Sequence, residues 1–292
     1  RMVLATSPLL LPQEFAALRS LHTRDLKAVT IPIHFDAARG PAGLRPSLRR
    51  VCEHAVKAVD NGATILILSD RGVNAAKARI PSLLATAAVH HHLIRSGRRM
   101  KTALIVEAGD VHEVHQVACL IGYGASAVYP YLAFQTIKSL ECFGRLGEET
   151  FDQALAHFKK AVDQGVLKIM SKMGISTIGS YRGAQIFEAL GLARELIDDC
   201  FPGTPSRIGG ITYEHIANEV LAWHRQAFET PGALHLSLGG YYTYRRDGEY
   251  HAFNPEMVRY LQQAIKTGDY AAYQKFATAV NTSARCQPKV LA

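Results

Sequence analysis

Four short stretches place polar and charged residues directly after apolar runs: Ser69-Asp70-Arg71, Glu107-Ala108-Gly109-Asp110, Tyr129-Pro130-Tyr131 and Ser171-Lys172. Carboxylates beside arginine and lysine can transfer protons, or can hold a substrate's carboxylate or phosphate through charge-assisted hydrogen bonds. The same groups can instead neutralise one another in a structural network. A further candidate is the stretch SKMGISTIGSYRGAQIFEALG at 171–191. Ser176, Thr177 and Ser180 offer hydroxyls of the N-cap type, and a helix starting near Tyr181, with Arg182 beside it, would present free backbone N–H groups to an anion. Lys172 and Arg182 could as readily grip the carboxylate of a protein partner.

Other motifs carry less. His90-His91-His92 are consecutive, and neighbours on a helix point about 100° apart, so they read as helix-face histidines that hydrogen-bond locally. VHEVHQV at 111–117 has Gln116 where a zinc-protease helix needs its second histidine, so His112 and His115 read as core or surface residues. GYGAS (122–126) and SRIGGI (206–211) are neither a dinucleotide fingerprint nor a P-loop, and Gly122 reads as a helix stop. The five cysteines, Cys52, Cys119, Cys142, Cys200 and Cys286, lie tens of residues apart with no CxxC. No metal site is expected, and a reducing compartment fits best.

The elements that must position these residues follow from periodicity. Strand-like runs occur at LKAVTI (26–31), TILILSD (64–70), TALIVEAGD (102–110), ASAVYP (125–130) and LKIMSK (167–172). Helical spacing covers 47–60, 80–95, a segment ending near Ile121, and 131–163, with a further helix starting near Tyr181. The strands are unbroken apolar runs, as expected where both faces of a sheet are buried, and helices between them imply parallel pairing. Five βα units, starting near 26, 64, 102, 125 and 167, are fewer than the eight of a closed barrel. The expected fold is therefore α/β, a degenerate or partial (β/α) barrel with parallel strands plus a C-terminal helical extension; an open doubly wound sheet is the alternative. Residues 1–25 read as a lead-in segment, 26–193 as the βα-repeat core, and 194–292 as a loop and helical extension packing on that core, one domain overall.

The 292 residues, 48% hydrophobic and 20% charged, suffice for a globular core. The net charge of +8 is spread over short pairs such as Arg49-Arg50, Arg98-Arg99 and Arg245-Arg246, which argues against a nucleic-acid stripe. No apolar run is long enough to cross a bilayer and RMVLATSPLLLP does not read as a signal peptide, so a cytoplasmic protein is expected.

SKMGISTIGSYRGAQIFEALGL, GTPSRIGGI, LILSDR, IPSLLATAAVHHHLIRSGRR and VEAGDVHEVHQVACLIGYGASAVYPYLAF together resemble the large chain (alpha subunit) of bacterial-type glutamate synthase, from about Ser7 to Val280. The resemblance is to that family's central domain. It implies a rudimentary barrel joining an N-terminal glutaminase, whose nucleophile is a cysteine, to an FMN-binding barrel that carries a 3Fe-4S cluster. The parent enzyme would use glutamine, 2-oxoglutarate and reductant to make two glutamates. This domain would be catalytically inert alone, would link its two neighbours and would help shape the ammonia path. No cofactor is expected in this chain, and Cys52, inside an expected helix, is no counterpart of the nucleophile. The implied partners are the glutaminase and FMN-binding domains, with no nucleic acid and no membrane. Ser69, Asp70, Arg71, Glu107, Lys172, Ser176, Arg182 and Arg207 are the candidate domain-interface or anion-contact residues. The rival is an independent anion- or flavin-binding α/β barrel enzyme whose strand-end mouth gathers Asp70, Glu107, Lys172 and Arg182.

Overall fold

The computed structural model describes residues 5–228, 239–240, 243–246 and 248–282; Cys286 and the rest of the C-terminal tail lie outside them. Two compact units divide the chain, residues 1–230 and 231–292.

The first unit opens with α1 (Pro12–Arg19), which has proline in its first turn, where the missing N–H is harmless. There follow β1 (Ala28–Pro32), β2 (His34–Asp36), a 3-10 segment (Ala37–Gly43), α2 (Leu44–Asp60), β3 (Ile65–Ser69), β4 (Lys77–Arg79) and α3 (Ser82–Arg95). Then come β5 (Ala103–Glu107), α4 (Val114–Gly122), β6 (Ala127–Tyr129), α5 (Tyr131–Cys142), α6 (Phe151–Lys172) and the single turn α7 (Ile178–Tyr181). The unit finishes with β7 (Ala189–Leu192), α8 (Arg194–Cys200), β8 (Ser206–Ile211) and α9 (Tyr213–Phe228).

β1, β3, β5 and β6 form one parallel sheet in that order. Each strand lies beside the next in sequence and the order never reverses. That is the arrangement of consecutive units in a barrel, whereas a doubly wound sheet turns back at a switch point. The fold is a partial barrel. Its outer face presents Leu66, Leu68 and Leu104 to α2 and α3, where Leu48, Val51 and Leu84 meet them. On the face that a closed barrel would turn to its lumen, Ile65, Ile67 and Ile105 pack with Leu10, Phe15 of α1, Phe134 of α5 and Leu155 of α6. Helices thus occupy the space of the missing strands, and burying each such side chain is worth about 1.5–3 kcal/mol. Beyond β6, Leu9 adds a short parallel bridge, with Leu10 N–H donating to Val128 O (2.9 Å) and Val128 N–H to Pro8 O (2.8 Å).

Two expectations need correction. LKIMSK is not a fifth strand but the last turns of α6, which starts at Phe151 and is capped by the Thr150 hydroxyl. Val162, Val166 and Met170, four residues apart, bury one helical stripe among the α4 side chains while Leu167 stays 61% exposed. Over a six-residue segment with three apolar side chains a strand and a buried helix stripe cannot be told apart. The expected helix from Tyr181 is also absent: Gly183 (φ +76°) and Gln185 (φ +54°) turn the chain out of helical geometry, and it continues into β7, paired in parallel with β8. The helix stop assigned to Gly122 falls instead at Gly124 (φ +110°), since α4 runs through Gly122.

In the second unit α10 (Pro255–Thr267) packs on α11 (Tyr270–Thr282). Asn254 Oδ1 caps α10, accepting from Glu256 and Met257 N–H, and Gly268 ends it in the left-handed conformation. Among the described residues no helix is long and apolar enough to cross a membrane.

Candidate functional site

Ser69 and Glu107 end adjacent strands as register partners. The Ser69 hydroxyl donates to Glu107 Oε2 and Arg71 Nε donates to Oε1, both at 2.6 Å, so a carboxylate only 1% exposed has both oxygens engaged. The Arg71 guanidinium in turn lies 4.0 Å above the Tyr131 ring, at the start of α5. The antiparallel ribbon of β2 and β4 crosses above: His34 Nε2 is 2.9 Å from the Asp70 carbonyl oxygen. Arg79 Nη1 donates to Asp110 Oδ2 at 2.5 Å, and Ser82 N–H donates to the same oxygen at 3.1 Å, placing an acidic group at the first turn of α3.

Two carboxylates depart from this mutual satisfaction: Asp110, whose Oδ1 has no hydrogen-bond partner, and the more deeply buried Asp70. Asp70 is 2% exposed, its Oδ2 accepts from Gly109 N–H (2.8 Å) and its Oδ1 has no hydrogen-bond partner. Burial pushes its pKa above the usual carboxylate range; the Gly109 N–H opposes that shift and the charge of Asp110 adds to it. Burial and then the Asp70 charge push the Tyr131 hydroxyl upward as well. A Cβ at Gly109 would lie 2.9 Å from the Tyr131 hydroxyl, so a side chain there would push that ring aside. Above this floor opens a cleft of about 760 Å³, lined by Asp70, Asp110, His112, His115, Tyr131 and, from α9, Trp223. Its polar floor and largely apolar walls suit a hydrogen-bond donor with an apolar body.

Of the residues singled out in the sequence, Ser69, Asp70, Arg71 and Glu107 therefore meet at the strand ends. The others do not join them. Lys172 ends α6 and Ser176 is exposed in the following turn, neither bonded to a strand-end group. Arg207 faces Glu188 at 3.5 Å on β8. Arg182 donates to Ser126 Oγ (2.9 Å), just before β6 and hence at the opposite end of the sheet. Thr177, not a longer array of hydroxyls, caps α7, and a four-residue turn has no helix terminus to offer an anion. His34, Arg79 and Trp223 belong to the mouth but carry no sequence signal that could have placed them there; His34 and Arg79 meet only through a three-residue ribbon.

The three consecutive histidines serve the fold. His90 Nδ1 accepts from Arg99 Nε at 2.8 Å, and the His90 and His91 rings meet edge to face. Burial first, then neighbouring arginines, push His90 down to about 3 and His91 to about 4. His115 Nε2 lies 3.5 Å from Cys119 Sγ, and among the described residues no group of three or more His, Cys, Asp or Glu side chains is arranged to hold a metal. Burial pushes the Cys52 thiol up to about 12 and Cys200 to about 11, far from a reactive thiolate.

A pH dependence follows. In the unfolded chain these imidazoles take up protons near 6.5, whereas in the fold they stay neutral to about pH 4. The unfolded state then binds more protons, so the histidine contribution to stability falls as pH drops from about 6.5 towards 4. Asp70, with its raised pKa, acts in the opposite sense just above its ordinary 3.8. Thermal melts from pH 7.5 to 4.5 should show a falling Tm, with a shallower slope in His90→Gln; equal slopes would remove His90 from this role.

Comparison with known proteins gives a consistent picture. The family model for the glutamate synthase central domain matches residues 1–193. The NADPH-type glutamate synthase large chain of Bacillus subtilis is 42% identical over 283 residues, covering 96% of this chain. The NADH-type enzyme of Schizosaccharomyces pombe is 41% identical over 96% of the chain, and the ferredoxin-dependent chloroplastic enzyme of Spinacia oleracea 43% identical over 93%. The chain spans only 18%, 14% and 17% of those relatives' lengths. The flavin-binding domain of baker's yeast flavocytochrome b2 aligns with 55% of this chain and 40% of its own, at 18% identity and a TM-score of 0.34.

Proposed function

Since the chain belongs to the glutamate synthase central-domain family, we propose that it is a non-catalytic connecting domain within a longer enzyme that makes two glutamates from glutamine, 2-oxoglutarate and reductant. It links a glutaminase domain to an FMN-binding domain that carries the 3Fe-4S cluster, helps shape the ammonia path between them, and works in the cytoplasm. The observation that carries this reading is the engagement of Glu107, whose two oxygens are held by Ser69 and Arg71 at the floor of the cleft. Where a barrel enzyme keeps its reacting groups available, this carboxylate is occupied, and Asp110 is held by Arg79 and the start of α3. Lys172, Ser176 and Arg207, exposed away from that mouth, are the proposed contacts to neighbouring domains.

The test has two arms. The chain alone is titrated with FMN and assayed for glutamine hydrolysis, and it also replaces the matching segment of the Bacillus subtilis large chain. We expect no saturable FMN binding and no hydrolysis from the chain alone, together with retained glutamine-dependent glutamate synthesis in the chimera. Saturable FMN binding or turnover by the isolated chain would overturn the connecting role in favour of an independent flavin- or anion-binding enzyme.

A further inference from the structure

At the end of the sheet opposite the mouth, three cations border one cavity of about 620 Å³: Arg99, Lys101 and Arg182. Arg99 spends its donors on neutral acceptors, His90 Nδ1 (2.8 Å), Thr102 O (2.6 Å) and Gly124 O (2.7 Å). Arg182 donates to Ser126 Oγ. Among the described residues no carboxylate bonds to any of the three cations. Among the described residues lining the cavity the one acidic side chain is Asp25, so the three cations there outnumber it by two. His90, also on its wall, is neutral and adds nothing to offset them.

Such a cluster is costly when empty. A guanidinium withdrawn from water ordinarily gains a carboxylate partner; here the nearest strong electrostatic neighbour of Arg99 is another arginine. Burial and the Arg182 charge together push Arg99 down to about 10. The Arg182 guanidinium and the Lys101 ammonium, with the second hydrogens left on Arg99 Nη1 and Nη2, border a cavity of small-molecule size with the kind of donors that planar or tetrahedral oxyanions take.

We propose that Arg99, Lys101 and Arg182 form an oxyanion-binding site at the N-terminal end of the parallel sheet, for a small molecule bearing a phosphate or a carboxylate. Arg99 is the fixed member, held by three acceptors, while Lys101 and Arg182 close over the ligand from the rim. The site is separate from the strand-end mouth and does not depend on the connecting role proposed above.

The experiment is a thermal-shift titration of the 292-residue chain with inorganic phosphate and, separately, with succinate, each matched in ionic strength by sodium chloride. A ligand that binds only the folded state raises Tm in a saturable way. We expect saturation by at least one of the two anions and none by chloride. Arg182→Gln and Lys101→Gln, which leave all three Arg99 hydrogen bonds in place, should weaken binding at least tenfold. The amide signals of Gly124 and Thr102, whose carbonyls Arg99 holds, should shift in the NMR spectrum along the titration. Repeating the titration in the Bacillus subtilis chimera separates the two sources of the anion: an undiminished response assigns the site to a free molecule, and a lost response assigns it to a carboxylate supplied by a neighbouring segment. No response beyond chloride, or unchanged affinity in both variants, would overturn the proposal.

Discussion

Gly124→Ala is expected to cost more than about 4 kcal/mol, enough to leave little folded chain. Gly124 follows α4 with φ +110°, a conformation in which any side chain is strained, and a Cβ there would stand 2.1 Å from His90 Nδ1. The imidazole has no room to retreat: it is 8% exposed, and its Nδ1 is held by Arg99 Nε. The Gly124 carbonyl accepts from the same arginine, so a shift of the loop breaks one bond to spare another. Equilibrium urea unfolding measures the loss, and Gly124→Ala combined with His90→Ala divides it into parts. The pair should recover the steric part and retain the strain of the left-handed backbone. A single-variant cost under about 1 kcal/mol would mean that the α4–β6 turn yields freely, contrary to its packing.

The second large effect is at Glu107. Removing one member of a buried ion pair typically costs about 3–5 kcal/mol, but the Arg71 side chain is 41% exposed and regains water when released. For Glu107→Ala we therefore expect about 2–4 kcal/mol, mostly from the orphaned Ser69 hydroxyl and the space left between β3 and β5. Glu107→Gln keeps the shape and an acceptor for Ser69, so about 1–2 kcal/mol is expected. Denaturant midpoints for the two variants should keep that order. The connecting role requires that a Glu107→Gln chimera with near-parental stability also keep its glutamate synthesis; loss of activity in a stable protein would instead place Glu107 in the machinery.

β3, β5 and β6 were legible because each is buried on both faces and so appears as an unbroken apolar run, ILILS of β3 being buried at every position, whereas β1, at the edge, exposes Thr30 and Pro32 and was legible from its apolar composition. The same rule misled at LKIMSK, a short mixed segment whose Met170 continues the helical stripe begun by Val162 and Val166 upstream. At the mouth, Ser69, Asp70, Arg71 and Glu107 could be named in advance, since the ends of parallel strands converge by construction. Their mutual engagement could not, because it depends on which side chains share a register. The contribution of α9, which carries Trp223 to the cleft from a distant part of the chain, has no local signature. Arg182 shows the same limit from the other side: its place in a loop of ligand-like composition was legible, but the turn that sends it to the far end of the sheet depends on Gly183 and Gln185 adopting positive φ.

The short bridge between Leu9 and Val128 bears on the order in which the chain gains its contacts during synthesis. Residues 8–10 precede every strand of the sheet and have no partner in it until β6, its last strand, has been made. β6, for its part, offers bare backbone groups on its outer edge until they return. An open edge is a template for pairing with other chains, and contacts between such distant segments are slow to form. On that side the sheet is sealed against a neighbouring molecule only when the segment before α1 meets the last strand of that sheet, which makes their meeting a late and vulnerable step in its assembly.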